Sequence, residues 1–157
     1  MKKTIILLVA FAATVSSCSV TKQARAQENM LSGTWTLNNI SYENSDGNFS
    51  SVLLNDAKDI CFEGSTWFFR NNNNTGRYTI APSTLCEGGD RFIRWSVVDG
   101  SPNRLQLKRI DEKNKDISGG VGYRLNISEI TESTMRLKSN VAVGADQVTI
   151  VYEFSKR

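Results

Sequence analysis

The chain has 157 residues, with 19 basic and 16 acidic side chains, a formal net charge of +3 and no histidine. That length suits one domain. Without histidine, Ser-His-Asp and Cys-His nucleophilic arrangements are excluded, and the commonest general base and metal ligand is missing. The basic residues stand singly among acids, which excludes the stripe that binding a phosphate backbone requires. Carboxylate pairs such as Asp111-Glu112 and Asp56/Asp59 read as solvated loop residues. Gly88-Gly89 and Gly119-Gly120 are followed by no helical pattern and read as hairpin turns. The expectation is a protein that is not an enzyme, has no cofactor or metal, and binds no nucleic acid.

Met1-Lys2-Lys3, an apolar stretch from Thr4 to Val15, and the small pair Ser16-Ser17 have the layout of a secretory signal. Cys18, placed directly after Val15-Ser16-Ser17, resembles the acylated cysteine of the lipobox in bacterial lipoproteins. That resemblance implies a signal over 1–17 and a lipid on Cys18, with 140 residues remaining after cleavage. The apolar stretch is about a dozen residues against the ~20 of a spanning helix, so lipid is expected to be the anchor. More than one acyl chain makes such anchoring stable. Removing Lys2 and Lys3 leaves 17 basic against 16 acidic residues, close to neutral. Acidic runs just after such a cysteine resemble surface-export signals; none follows Cys18, so the resemblance implies a place in the cell envelope on the outer membrane, facing the periplasm. Cys61 and Cys86 are then an even pair in an oxidising compartment. A disulfide is the economical reading, against two free thiols or half of a metal site. Closing a loop of about 25 residues would stabilise by ~3.5 kcal/mol in the chain-entropy model.

Residues 18–31 are polar and small and read as a lipidated tether, with at most a helical turn or two between Ala24 and Met30. From Leu31 the period is two. Trp35 and Leu37 alternate with polar neighbours, and Asp46-Gly47 is a turn signal. Val52 to Lys58 is ambiguous, with room for one short helix. Thr66-Trp67-Phe68-Phe69-Arg70 is a strand, and Asn71 to Gly76 is a hairpin loop rich in residues that tolerate positive φ. Further on, Ile93, Trp95 and Val97 share a face, as do Leu105 and Leu107. So do Val121, Tyr123, Leu125 and Ile127; Met135, Leu137, Val141 and Val143; and Val148, Ile150, Tyr152 and Phe154. One apolar and one polar face per strand means antiparallel sheet with one side wet. Eight strands follow: about 34–42, 66–70, 75–80, 91–98, 103–110, 121–128, 134–143 and 147–155. Short hairpins and the need to remove exposed edges favour an all-β, eight-stranded up-and-down antiparallel barrel over 32–157. A two-sheet sandwich has the same strand statistics.

Gly33-Thr34-Trp35 at the start of the first strand resembles the lipocalin fingerprint, whose tryptophan lies across the closed end of the barrel. Cys61-Phe62-Glu63-Gly64-Ser65-Thr66-Trp67, then Asn73-Asn74-Thr75-Gly76-Arg77-Tyr78, Cys86 and Trp95, resemble the lipocalin-like lipoproteins of Bacteroidetes, over about Leu31 to Phe154. The resemblance implies a lipocalin-like barrel and a Cys61–Cys86 bridge, and names no ligand. Lipocalins often stack a late basic residue on the fingerprint tryptophan; Lys156 and Arg157 are candidates by position. The inner aromatics, Trp67, Tyr78, Trp95 and Tyr123 above all, either line a ligand cavity or fill it, since an eight-stranded barrel is just wide enough for either. Arg70, Arg94 and Arg124 are expected on the exposed face. Two functions follow. One is a monomeric, lipid-anchored envelope protein that binds a small apolar molecule. The other is a non-enzymatic interaction module that contacts another envelope protein or the cell wall.

Overall fold

Period-two sequence makes every strand amphipathic, so the sheet buries its apolar side by curling on itself. The computed structural model describes residues 21–44, 49–144 and 146–157. The signal, Cys18 and the Asp46-Gly47 turn lie outside the described residues. Helix α1 (Lys22–Leu31) leads into β1 (Gly33–Glu43). A small hairpin of β2 (Val52–Leu53) and β3 (Ala57–Lys58) follows, then the one-turn helix α2 (Asp59–Phe62). Seven strands complete the chain: β4 (Thr66–Arg70), β5 (Thr75–Ile80), β6 (Gly89–Val98), β7 (Arg104–Ile110), β8 (Tyr123–Ile130), β9 (Thr134–Val143) and β10 (Asp146–Lys156).

Eight of these strands form a closed antiparallel barrel in the order β1-β10-β9-β8-β7-β6-β5-β4. The expected strands agree with the observed ones to within two residues at every end. Closure rests on β1, which pairs with β4 through Trp35↔Trp67 and with β10 through Trp35↔Lys156. Inward residues such as Ile93, Trp95, Val97, Leu105, Leu107, Leu125 and Ile127 are buried. Arg70, Arg94 and Arg124 are exposed, as the register requires. Val121 precedes β8, and Val141 and Val143 end β9 at the rim; all three are exposed rather than core, because the alternating pattern outlasts the interior.

The end of the barrel that carries α1 is its base. Gly33 has φ +121°, a conformation that glycine adopts without strain, and it turns the chain from α1 into β1. Two residues on, Trp35 is fully buried, its Nε1 donating to the Leu31 carbonyl at 2.8 Å. Of the two basic candidates, Lys156 takes the stacking position: its Nζ lies 5.1 Å from the Trp35 ring centroid and donates to the Met30 carbonyl at 2.8 Å. Arg157 instead donates to Thr36 Oγ1 on the outside.

Residues 22–31 correct the expectation of a tether. Thr21 caps α1 by accepting from the Ala24 amide, and Ala24 and Leu31, seven residues apart, share one face and are fully buried. Between them Gln27 accepts from Asn103 Nδ2, and Glu28 accepts from the Val97 amide. The segment is a plug under the barrel, held by two apolar contacts that its polar composition hides.

A plug and a tether respond differently to mutation. Leu31→Ala should destabilise the protein by about 2–5 kcal/mol, the usual range for truncating a buried leucine. Urea denaturation followed by tryptophan fluorescence measures it. An unchanged midpoint would mean that α1 contributes no packing.

Candidate functional site

The opposite end of the barrel, its mouth, is where a lipocalin-like interior would admit a ligand, and a lid covers it. The β2–β3 hairpin and α2 lie across the mouth, with Leu53, Leu54 and Phe62 buried beneath them. Leu54 and Asn55 at the hairpin tip have φ of 52° and 49°. The Cys61–Cys86 disulfide, now observed, ties α2 to the β5–β6 loop.

Two carboxylates fasten the lid, and they correct the expectation of solvated loop residues. Asp56 accepts from Tyr78 Oη and from Arg91 Nε, each at 2.9 Å, with Arg109 Nη1 3.5 Å from its other oxygen. The Asp56 and Arg91 side chains are only 9% and 11% exposed, so this ion pair is nearly dry. Asp59 accepts from Tyr42 Oη, from the Ile60 amide at 2.8 Å and from the Ser51 amide at 3.2 Å. Burial alone would raise the Asp59 carboxyl, but these hydrogen bonds outweigh it and hold the group below the ordinary carboxylate range. Burial, then the bond to Asp59, pushes Tyr42 up to about 12. Burial, then Asp56, pushes Tyr78 well above an ordinary phenol.

Below the lid the expected ligand residues meet one another. Trp67 and Tyr78 stack with centroids 4.7 Å apart, Phe62 lies 5.4 Å from Tyr78, and Phe154 meets Trp67 edge-on at 5.7 Å. Trp95 joins through Phe69, edge-on at 5.4 Å. Their polar atoms are satisfied by protein: Trp67 Nε1 donates to Ser65 Oγ and Trp95 Nε1 to the Thr75 carbonyl. Tyr123 stands apart, half-buried at the start of β8, against the core. The void between lid and aromatics, lined by Leu53, Leu54, Phe62 and Trp67 among others, measures about 10 Å³. That is at the lower limit for a single water, and its apolar walls would keep it dry. The sequence left filling and lining open; in this conformation the aromatics fill.

A larger concavity lies outside the barrel, over β4, β5 and β6. It is an open groove of about 550 Å³ with Phe68, Arg77 and Phe92 in its floor and Asp111, Glu112 and Asn114 along one side. Nothing in the sequence reading marked it, because Phe68 and Phe92 were absorbed into strands without regard to which face they take.

Among the described residues, no group of three or more Cys, Asp or Glu is placed to hold a metal ion. No described helix is long and apolar enough to cross a membrane. Residues 31–137 match the model of a family described as a lipocalin-like domain. The match stops inside β9, so the described structure adds β10, the strand that closes the barrel. No curated protein matches the chain.

The lid carboxylate sets a pH dependence. The depressed Asp59 contributes stability that is present above the unfolded carboxyl value of ~3.9 and lost as pH falls through its lower folded value. Raised Tyr42 contributes stability that is present below ~10 and lost as pH rises toward its folded value. Asp59→Asn should therefore lower the urea midpoint at neutral pH and reduce its further fall in acid. Parallel acid curves for wild type and variant would show that this hydrogen-bond set does not hold the lid.

Proposed function

The chain belongs to the lipocalin-like domain family, and we propose that it works as a non-enzymatic interaction module held at the cell envelope by a lipid on Cys18. The observation that carries the reading is the interior: a stacked Trp67–Tyr78 pair, a dry ion pair under the lid and a void of about 10 Å³. Small-molecule sites occupy roughly 300–1,000 Å³. With the void among the described aromatics far below that range, the outer face and the loops are the surfaces that remain to act.

Native mass spectrometry of the purified full-length protein, alone and with a mixture of fatty acids and phospholipids, tests this. The expected spectrum is the unliganded chain. A stoichiometric apolar molecule retained by the wild type would overturn the reading.

A second reading has its own support. The void is lined by Leu53 and Leu54 of the lid, and Val52 and Ile60 of the lid and Leu85 of the β5–β6 loop stand exposed at 61%, 58% and 76%. An apolar ligand admitted by lifting the hairpin would use those side chains at its entrance. Asp56→Asn loosens the clasp without shortening the side chain. Lipid captured by this variant and not by the wild type would favour a gated binder.

The anchor is tested separately. Cells labelled with an alkyne fatty acid should incorporate it into the wild type and not into Cys18→Ser, and the variant should move to the soluble fraction. Label on the serine variant would remove Cys18 from that role.

A further inference from the structure

The outer groove has a chemistry that the fold does not require. Register aligns one residue from each of five adjacent strands in a row: Thr34↔Phe68, Phe68↔Arg77, Arg77↔Phe92 and Phe92↔Ile110. Of their strand neighbours, Trp35, Trp67, Tyr78 and Ile93 are core and Arg109 reaches Asp56 of the lid, so the row itself faces outward. A wet face needs no aromatics, yet two phenylalanines sit here on alternate strands, two strand spacings or about 9.6 Å apart, with Arg77 on the strand between them. Arg70 adds a second guanidinium, 5.8 Å from the Phe68 ring centroid. The β7–β8 loop supplies the wall. It folds back through Asp111 N to the Lys115 carbonyl and Ile117 N to the Arg109 carbonyl, and Ile110, although outside the core, is only 4% exposed. Gly76 keeps the floor close: a Cβ there would lie 2.2 Å from the Phe68 carbonyl oxygen.

The geometry points to a binding site for a neutral glycan chain, laid across the strands with sugar rings on Phe68 and Phe92. Four features of the groove select that class. Its volume of about 550 Å³ is that of a ligand site, while its open shape over five strands, about 19 Å, suits a segment of polymer better than a compact molecule. Its charges offset one another, Arg70 and Arg77 against Asp111 and Glu112, with Arg77 also 3.5 Å from Asp90, so it offers no net attraction to a polyanion. Its rim mixes acceptors on Asp111 and Glu112, donors on the arginines, and groups that do both on Asn114, Thr75 and Thr79. Sugar hydroxyls, each donor and acceptor at once, match such a rim, and C–H-rich sugar faces match the negative faces of phenyl rings. Finally, each strand beneath is already paired on both sides, so an extended peptide has no free edge to join.

This inference rests on the reading of the outer surface as the working one, and its test separates the two. Full-length protein in detergent is titrated with soluble four- to six-unit oligosaccharides of glucose, xylose and N-acetylglucosamine, with an equimolar extended-peptide pool as comparison. Binding is read by isothermal calorimetry and backbone NMR shifts. The expected result is binding of at least one oligosaccharide with shifts in β4, β5, β6 and the 111–114 loop, weakened about tenfold or more by Phe68→Ala with Phe92→Ala. Val141→Ala, on exposed β9, should leave it unchanged. Should the double variant unfold, Glu112→Ala with Asn114→Ala, both on the exposed loop, takes its place and should weaken binding severalfold. No binding by any oligosaccharide, or binding untouched by both double variants, overturns the glycan site and leaves the interaction module standing. Peptide binding in the groove overturns the ligand class. Lipid retained inside the barrel overturns the module reading without bearing on the groove.

Discussion

Everything in this fold hangs on β1, the strand that must pair on both sides for the sheet to close. Its pairings with β4 and β10 both include Trp35, so one residue sits in the seam between the first and last parts of the barrel. That seam spans the greatest sequence separation in the molecule, and loop-closure entropy opposes it most. The local contacts reward it: Trp35 Nε1 donates to Leu31 O, and Lys156 from the far end of the chain covers the ring and bonds Met30 O. A cation over a buried indole contributes on the order of 0.5–2 kcal/mol. Gly33, two residues before Trp35, is required by its φ of +121°, and a Cβ there would also come within 3.1 Å of Lys156 Cε, which is why a Gly-x-Trp pattern marks the spot in sequence.

What could be read from sequence followed the strength of the periodic signal. β6, β7 and β10 were plain because alternation at Ile93-Trp95-Val97, Leu105-Leu107 and Val148 to Phe154 matches one face of a closed sheet. α1 was not, because its buried stripe, Ala24 and Leu31, holds only one large apolar residue, and Gln27 and Glu28 dock by hydrogen bonds instead. The lid failed for a related reason. Asp56 and Asp59 sit in a polar stretch of sequence, and nothing local indicates that Tyr78, Arg91 and Arg109, from 22 residues onward, come to meet the first of them. Long-range polar pairing leaves no period. The inner aromatics were identified by face, but whether they line or fill a space depends on ring-to-ring distances that only the closed barrel determines.

A closed eight-stranded barrel has few ways to bind. Closure removes free edges, which forbids strand addition. Close packing of large rings removes the interior. What remains is the outer face, where alternation normally places solvated side chains, and the loops. Phe68 and Phe92 are then exceptions to the pattern that builds the fold, and exceptions of that kind concentrate at functional surfaces. The same logic explains why the lid can be fastened by an ion pair. Asp56 and Arg91 contribute little net stability compared with well-packed apolar residues, but once paired they are costly to separate, which keeps the hairpin in one place.

The docking of α1 also changes what an anchor would do. Thr21, three residues after Cys18, is bonded through its Oγ1 to Asp99 at 2.6 Å. Three extended residues reach about 10 Å. A lipid on Cys18 would therefore hold the base of the barrel against the bilayer, where a tether of 18–31 in full would have let it tumble. The base loops are polar: Asn71 to Asn74, Asp99 to Asn103 and Thr131 to Ser133. Among the described residues, the large exposed aliphatics, Val52, Ile60, Leu85, Ile117, Val121, Val141 and Val143, belong to the lid, the mouth loops or the strand end beside them. Polar loops toward lipid headgroups and apolar tips away from them is the reverse of what insertion would select. So anchored, the protein would turn its mouth and the side groove, with its wall at residues 111–114, away from the bilayer.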